Sequence, residues 1–88
     1  MKYIVVVHAH SAIGYAYAGQ QLPIKVGLET HVGFDCSEID TSNHAYLYVK
    51  TLANERGGVQ QQLQFPHSAV LFIVHYDGSG PRPAGIGE

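Results

Sequence analysis

The sequence has one cysteine, no tryptophan and few charged residues. Because a single thiol cannot close an intrachain bridge, Cys36 excludes a disulfide framework. Five lysines and arginines stand against seven aspartates and glutamates, with a formal net charge of −2 and no basic run, which disfavours nucleic acid as a partner. The N-terminal apolar run, 3–7, is far shorter than the roughly 20 residues of a membrane span. We therefore expect a cytoplasmic protein with no membrane association.

The composition is that of a small chain with enough apolar residues for a packed core. Of its 88 residues, 45% are hydrophobic and 14% are charged, a balance typical of globular domains. We predict a single compact domain over 1–76, followed by a flexible tail over 77–88 that is rich in glycine and proline. A domain of this size buries only about 60–65% of the surface that its unfolded chain exposes, so oligomerisation would add useful stability.

Two apolar runs predict the central strands of a sheet. Residues 3–7 and residues 69–74 are apolar at every position. Continuous runs of this length are typical of strands that are buried on both faces, because successive side chains point to opposite sides of a sheet. The first run therefore predicts one buried strand near the N-terminus, and the second predicts another near residue 70.

Alternating patterns predict further strands. Apolar residues alternate with lysine, glycine and glutamate over 24–29, and Pro23 favours the edge of the sheet for this strand. Residues 59–65 place apolar side chains on one face and three glutamines on the other, which indicates a strand with one wet face. Over 13–18 the alternation of larger and smaller side chains is less clear. We favour a strand there, with a short helix as the alternative.

The pattern over 42–56 predicts the main helix. Polar side chains at 40–43 can accept hydrogen bonds from the free amides of a helix N-terminus, and the glycines at 57–58 suit its C-terminus. The core-facing stripe of this helix would comprise Ala45, Tyr46, Val49, Leu52 and Ala53. Alternation over 44–49 leaves a strand open as the alternative interpretation of the same residues.

Together these elements predict an α+β fold, a mainly antiparallel sheet of four to five strands with one helix packed on one face. Both central strands are apolar on both faces, but only one helix is available to cover them. We therefore expect the second face of the sheet to be buried in a homodimer.

Histidine is unusually frequent, with six residues in the chain. His8 and His10 form an H-x-H pair whose two imidazoles would share one face of a strand, and His75 ends the other central strand. If the two strands were parallel, these three side chains would meet at one end of the sheet and could bind zinc or another divalent transition metal. If the strands are antiparallel, the group does not form. The ordinary interpretation is that each imidazole is satisfied by backbone or water where a strand reaches the surface.

Tyrosine is the second candidate for a functional role. Tyrosine is enriched at protein interfaces, where its rigid ring supplies contact area and its hydroxyl supplies direction. Tyr15, Tyr17, Tyr46 and Tyr48 are therefore the candidate partner-binding residues. The alternative is that some of them pack in the core with their hydroxyls at the rim.

Cys36 is a weaker candidate for chemistry. A nearby histidine could activate it as a nucleophile, and acidic residues at 35, 38 and 40 could orient that histidine. The same acids would raise the pKa of a thiol, however, and so oppose its activation. A packed, unreactive cysteine is the better interpretation.

Small size, an uncovered apolar face and surplus tyrosines indicate a non-enzymatic protein-binding domain without a cofactor. We expect an inhibitor or adaptor of the kind that phages and mobile elements encode, acting by blocking the surface of a partner protein. The alternative is a histidine-based metal-binding protein, or a small metal-dependent enzyme, that uses His8, His10 and His75.

Overall fold

Six antiparallel β-strands dominate the computed structural model of the protein, which describes residues 2–17, 21–52 and 60–77. Within these ranges the elements are β1 (Lys2–Val7), α1 (Ala12–Ala16), β2 (Leu22–Val26), β3 (Glu29–Asp40), β4 (Tyr46–Thr51), β5 (Gln62–Pro66), a 3₁₀ turn (His67–Ala69) and β6 (Val70–Tyr76). No helix in the described ranges is long and apolar enough to cross a membrane.

β3 is the longest strand and organises the sheet, whose order is β5-β4-β3-β1-β6. One side of β3 pairs with β1 over residues 32–36. The other side pairs first with β2 over residues 29–33 and then with β4 from residue 36 onwards. The register of the second pairing shifts between Cys36 and Glu38, and such a bulge bends a strand and increases its twist.

The sheet curls so that its two outer strands meet over one core. Only the three residues of the 3₁₀ turn separate β5 from β6, although these strands lie at opposite ends of the strand order. Side chains from both ends pack into the same cluster, in which Phe65 of β5 is fully buried and Ile73 of β6 is partly buried. Around them the buried members are Val5, Val7, Val32, Phe34, Cys36, Leu47 and Val49.

The sheet-dominated α+β class is confirmed, with six strands in the described ranges instead of four to five. The strand predicted at 3–7 is confirmed as β1, which lies between β3 and β6. The strand predicted at 69–74 is confirmed as β6, but its central position is wrong, because β6 pairs only with β1 among the described strands. Of the predicted tail over 77–88, all but Asp77 lies outside the described residues.

The helix predicted over 42–56 is wrong, because residues 46–51 form β4. Leu47 and Val49 are buried two residues apart, as alternation along a strand requires. The polar residues that suggested a helix cap form a turn instead. The side-chain oxygen of Asn43 accepts hydrogen bonds from the amides of Ala45 and Tyr46 at 2.8 and 3.0 Å, and asparagine favours such turns as readily as it favours helix caps. Residues 53–56 lie outside the described ranges.

The strand favoured at 13–18 is also wrong, because the alternative holds and Ala12–Ala16 form α1. Ser11 precedes the helix with extended backbone angles, and its hydroxyl oxygen accepts a hydrogen bond from the amide of Gly14 at 3.1 Å. This is the local signal for a helix N-terminus. Ser11 directly precedes the residues in which the spacing of Tyr15 and Tyr17 suggested the alternation of a strand.

The second face of β1 is already buried within one chain. Ile4 and Val6 are fully buried there beside Ile24 of β2. This contact depends on Gly33, where a Cβ atom would lie 2.7 Å from Cγ1 of Ile24 and 3.3 Å from Cγ2 of Ile4. β2 therefore covers the second face of β1, where the sequence pattern led us to expect a second copy of the chain, and the homodimer stays a prediction.

Candidate functional site

A depression in the described surface lies between α1, the 3₁₀ turn and the start of β4, and its volume is about 570 Å³. We call it the α1 groove. Its apolar lining comprises Ala12, Ile13, Ala16, Pro66 and Ala69, and its polar lining comprises Ser11, Tyr46, Gln64 and Ser68. None of these side chains carries a charge. The groove therefore offers an apolar surface with neutral hydrogen-bonding groups at its margin.

α1 forms one wall of the groove and is held at both of its ends. At the N-terminus the hydroxyl of Ser11 donates to the carbonyl of His8 at 2.6 Å, and Gly14 lies directly against the same carbonyl. At the C-terminus the ring of Tyr17 packs edge-to-face against the ring of Phe34, with 5.2 Å between the centroids. A five-residue helix is not stable alone, so these contacts hold the wall in place.

Tyr46 lies on the opposite wall, at the start of β4, and the turn that precedes it is tied to the 3₁₀ segment. The side-chain oxygen of Asn43 accepts a hydrogen bond from the amide of Tyr46, and the backbone carbonyl oxygen of Asn43 lies 2.8 Å from Nε2 of His67. The amide of His67 donates to the carbonyl of Ala45 at 3.1 Å. Because these bonds join the two segments that flank the groove, the position of Tyr46 relative to the 3₁₀ turn is fixed.

The polar side chains of the groove are available to a ligand. Tyr46 is 43% exposed. The side chains of Tyr46, Gln64 and Ser68 form no hydrogen bond within the described part of the chain. A phenol, an amide and a hydroxyl can each both donate and accept, so each of these side chains can bond to a donor or to an acceptor of a ligand.

The four tyrosines predicted to bind a partner occupy different environments. Tyr46 lines the α1 groove, and Tyr15 is 82% exposed on α1. Tyr48 lies in a separate, smaller depression beside Glu38 and other charged residues. Tyr17 is only partly exposed and packs against Phe34 in the core, and its role as an interface residue stays a prediction. Side chains four residues apart in a helix lie on the same face. Ile13 and Tyr17 have this spacing, and both pack against the core.

The histidine group predicted from His8, His10 and His75 does not form, because β1 and β6 are antiparallel. His75 lies opposite Tyr3, against whose ring it packs edge-to-face at a centroid distance of 4.9 Å. His8 and His10 follow the other end of β1, and their rings lie 5.9 Å apart. Among the described residues, no three His, Cys, Asp or Glu side chains are grouped as a metal site would require.

His31 of β3 is the histidine that the sequence reasoning missed. Its ring is almost fully buried and packs edge-to-face against His8 at 4.9 Å. Its Nδ1 accepts a hydrogen bond from the amide of Ala9 at 3.0 Å, and its Nε2 lies 3.1 Å from a carboxylate oxygen of Glu29. Since Nδ1 accepts, the proton of the neutral ring is on Nε2 and is donated to Glu29. This imidazole orders the turn after β1.

Cys36 is fully buried in the core, and its thiol donates a weak hydrogen bond to the carbonyl of Phe34 at 3.4 Å. Burial, with a smaller contribution from the charge of Asp35, raises the pKa of the thiol from 9.0 to about 12. The thiolate is the reactive form, so this environment favours the packed, unreactive interpretation of the residue.

This environment predicts slow chemical modification of Cys36. At pH 8 we expect a maleimide to react at least about 100-fold more slowly with the native protein than with the protein in urea, because reaction requires local or global opening. The raised pKa also means that the fold favours the neutral thiol. Its contribution to stability is therefore complete below pH 9 and is lost as the pH rises towards 12. Equal rates in the two states would contradict the burial of this side chain.

The chain matches no family model, no curated protein and no solved structure in comparisons with known proteins.

Proposed function

We propose that the protein is a non-enzymatic protein-binding domain that holds an extended, uncharged peptide segment of a partner in the α1 groove. The observation that supports this proposal is the groove itself, where an apolar floor is bordered by three side chains without hydrogen-bond partners in the described chain. Its volume of about 570 Å³ lies within the range of pockets that bury most of a small ligand or a short peptide segment.

The absence of charge in the groove lining determines which segment fits. A charged side chain entering the groove would lose hydration without gaining an opposite charge, which is unfavourable. A segment with small apolar side chains instead covers the floor formed by residues such as Ala12, Ala16 and Ala69. These small residues allow the peptide backbone to approach closely enough to bond with Gln64 and Ser68.

Tyr46 provides the anchor for such a segment. Its ring offers a large contact area with little loss of conformational entropy, and its hydroxyl remains able to form a hydrogen bond. A partner segment held against this ring is unavailable to other proteins. Blocking a segment in this way is how an inhibitor or adaptor of 88 residues would act.

Selection from a displayed library of random linear peptides tests this proposal. We expect the protein to enrich uncharged peptides that contain small apolar residues. The variant Tyr46→Ala should bind a selected peptide at least about 10-fold more weakly, because truncation of an aromatic anchor costs about 2 kcal/mol. Affinity measured by isothermal titration calorimetry gives this ratio directly.

Tyr48→Ala is the matched control, since Tyr48 is a similarly exposed tyrosine of the same strand that lies outside the groove. Its affinity for the selected peptide should stay within about 2-fold of the original value. Ala16→Arg, which fills the groove, should abolish binding, and circular dichroism verifies that each variant is folded. If Ala16→Arg and the original protein enrich the same peptides, the α1 groove is not the binding site.

A further inference from the structure

The smaller depression, which contains Tyr48, lies on the outer face of β3, β4 and β5 and has a volume of about 380 Å³. We call it the β4 depression. Residues that lie opposite each other on paired strands point to the same face, so the pairing of the three strands puts six lining side chains together. These are Glu38, Asp40, Tyr48, Lys50, Gln62 and Gln64. The alternate residues Ile39, Val49 and Leu63 belong to the core or pack against it on the other face.

The backbone of β4 is not available to a ligand in this depression. β4 pairs with β3 on one side and with β5 on the other, so its N–H and C=O groups are used within the sheet. A peptide strand therefore cannot add to it as it could to the edge of a sheet. A ligand over β4 must be recognised by the side chains, and their chemistry determines which ligand fits.

The polar side chains of the β4 depression combine acceptors and donors. The carboxylates of Glu38 and Asp40 only accept hydrogen bonds, the ammonium group of Lys50 only donates them, and the two glutamines do both. Glu38 lies directly opposite Lys50, but neither side chain forms an ion pair or a hydrogen bond within the described part of the chain. A hydroxyl group donates and accepts at the same time, so it can bridge two such side chains.

Asp40 is a fixed acceptor in this group. The amide of Ser42 donates to its carboxylate at 2.9 Å, and hydrogen bonds from the side chain and the amide of Ser42 lower the pKa of Asp40. The carboxylate is therefore ionised at neutral pH. Since a carboxylate has about four lone-pair positions, it can still accept hydrogen bonds from a ligand.

Tyr48 supplies an apolar contact between the polar groups. It lies opposite Asp40 of β3 and opposite Gln64 of β5, and 38% of it is exposed. The face of its ring carries partial negative charge, and the C–H bonds of a sugar ring carry partial positive charge, so the two rings attract each other. A ring with C–H bonds on its faces and hydroxyl groups around its edge therefore matches this aromatic side chain and its polar neighbours.

We propose that the β4 depression binds a neutral oligosaccharide, with one sugar ring against Tyr48 and its hydroxyl groups bonded to the surrounding side chains. The ligand is neutral because the depression carries both signs of charge, so an anion would be repelled by the carboxylates and a cation by Lys50. It is an oligosaccharide because three strands spaced about 4.8 Å apart span about 10 Å, which is longer than one sugar ring. The proposal does not rest on the α1 groove or on the function assigned to it.

A nuclear magnetic resonance titration of the full chain with unbranched hexasaccharides tests the proposal. The neutral panel comprises the hexasaccharides of cellulose, amylose, mannan, xylan and chitin. We expect at least one of them to bind with a dissociation constant below about 1 mM and to shift the amide signals of 38–40, 48–50 and 62–64. The hexasaccharide of polygalacturonate should bind at least about 10-fold more weakly, because its carboxylates would face Glu38 and Asp40.

Substitutions show whether the ligand contacts the predicted side chains. Tyr48→Ala should weaken binding of the best hexasaccharide at least about 10-fold, because it removes the aromatic contact. The matched control is Tyr15→Ala, at an exposed tyrosine of α1, which should change the affinity less than about 2-fold. Gln62→Ala, which removes a hydrogen-bonding group at a second exposed position, should weaken binding at least about 3-fold and keeps the test decisive if Tyr48→Ala fails to fold.

Three results would overturn the proposal. The first is the absence of shifts in these amides at about 5 mM of every neutral hexasaccharide, a concentration above that of weak specific binding. The second is an affinity that neither Tyr48→Ala nor Gln62→Ala reduces. The third is tighter binding of the polygalacturonate hexasaccharide than of every neutral one.

Discussion

Replacement of Phe34 with alanine is expected to lower the free energy of unfolding by about 4 kcal/mol, the usual effect of deleting a buried aromatic ring. Phe34 is fully buried in β3. Its ring contacts the rings of Tyr17 and Phe65, at centroid distances of 5.2 and 4.8 Å. It therefore joins α1, β3 and β5, and the cavity left by alanine would border all three elements.

This loss is large compared with the stability of a domain of 88 residues, which is about 4–13 kcal/mol at the usual 0.05–0.15 kcal/mol per residue. Urea denaturation followed by circular dichroism measures it. The matched control is Phe72→Ala, for which we expect a loss of about 1.5 kcal/mol because Phe72 is 40% exposed. Similar losses for both phenylalanines would contradict the described core.

Gly14→Ala is expected to destabilise the protein by about 3 kcal/mol, at the upper end of the range for inserting a methyl group into a packed site. A Cβ atom at position 14 would lie 2.1 Å from the carbonyl oxygen of His8 and 3.1 Å from the hydroxyl oxygen of Ser11. The first contact is with the backbone, so no side-chain rotation can relieve it. α1 would have to move away from β1, and the Ser11 bonds would break.

A substitution at Gly27 is the control, because it shows whether replacing any glycine destabilises the protein as much as the contact at Gly14 does. Gly27 has a φ of 63° and no atom within 4 Å of a built Cβ, so Gly27→Asn, which tolerates a positive φ, should cost less than about 1 kcal/mol. Denaturation in urea compares the two variants. Because α1 is a wall of the groove, Gly14→Ala should also weaken peptide binding in molecules that remain folded. An undiminished free energy of unfolding in Gly14→Ala would show that α1 does not pack on the His8 carbonyl.

The two continuous apolar runs in the sequence correctly predicted β1 and β6. Residues 4–7 are buried on both faces in β1, as their composition requires, and Pro23 lies on an edge strand as expected. These predictions succeeded because burial on both faces leaves little choice of residue type, and because proline lacks the N–H that a second neighbour would need.

β3 could not be predicted in the same way. Its fully buried segment, 31–34, contains His31 and Gly33 on one face. His31 is buried only because Ala9 and Glu29 satisfy its ring, and Gly33 is required only because Ile24 packs over it. Both reasons lie in other strands, so the local sequence shows neither of them.

The α1 groove could not be predicted from local sequence either. Tyr46 was a candidate because of its residue type. The groove that surrounds it, however, is built from α1, the 3₁₀ turn and β4, which the curled sheet brings together from distant parts of the chain. Asn43 favoured the wrong prediction of a helix over 42–56, since its side chain can cap either a helix or a turn. The bond between the backbone carbonyl of Asn43 and His67 joins residues that are far apart in the sequence, so no local pattern indicates it.

The antiparallel pairing of β1 with β6 also has a consequence for synthesis. β1 is made before β6, and Lys2 pairs with Tyr76. At the usual 5–20 residues per second, the ribosome needs roughly 4–15 seconds to synthesise the residues between them. During that interval β1, four of whose six residues are buried in the folded protein, can pair with β3 but still has one side open. The nascent chain is thus vulnerable to aggregation through β1 until β6 emerges.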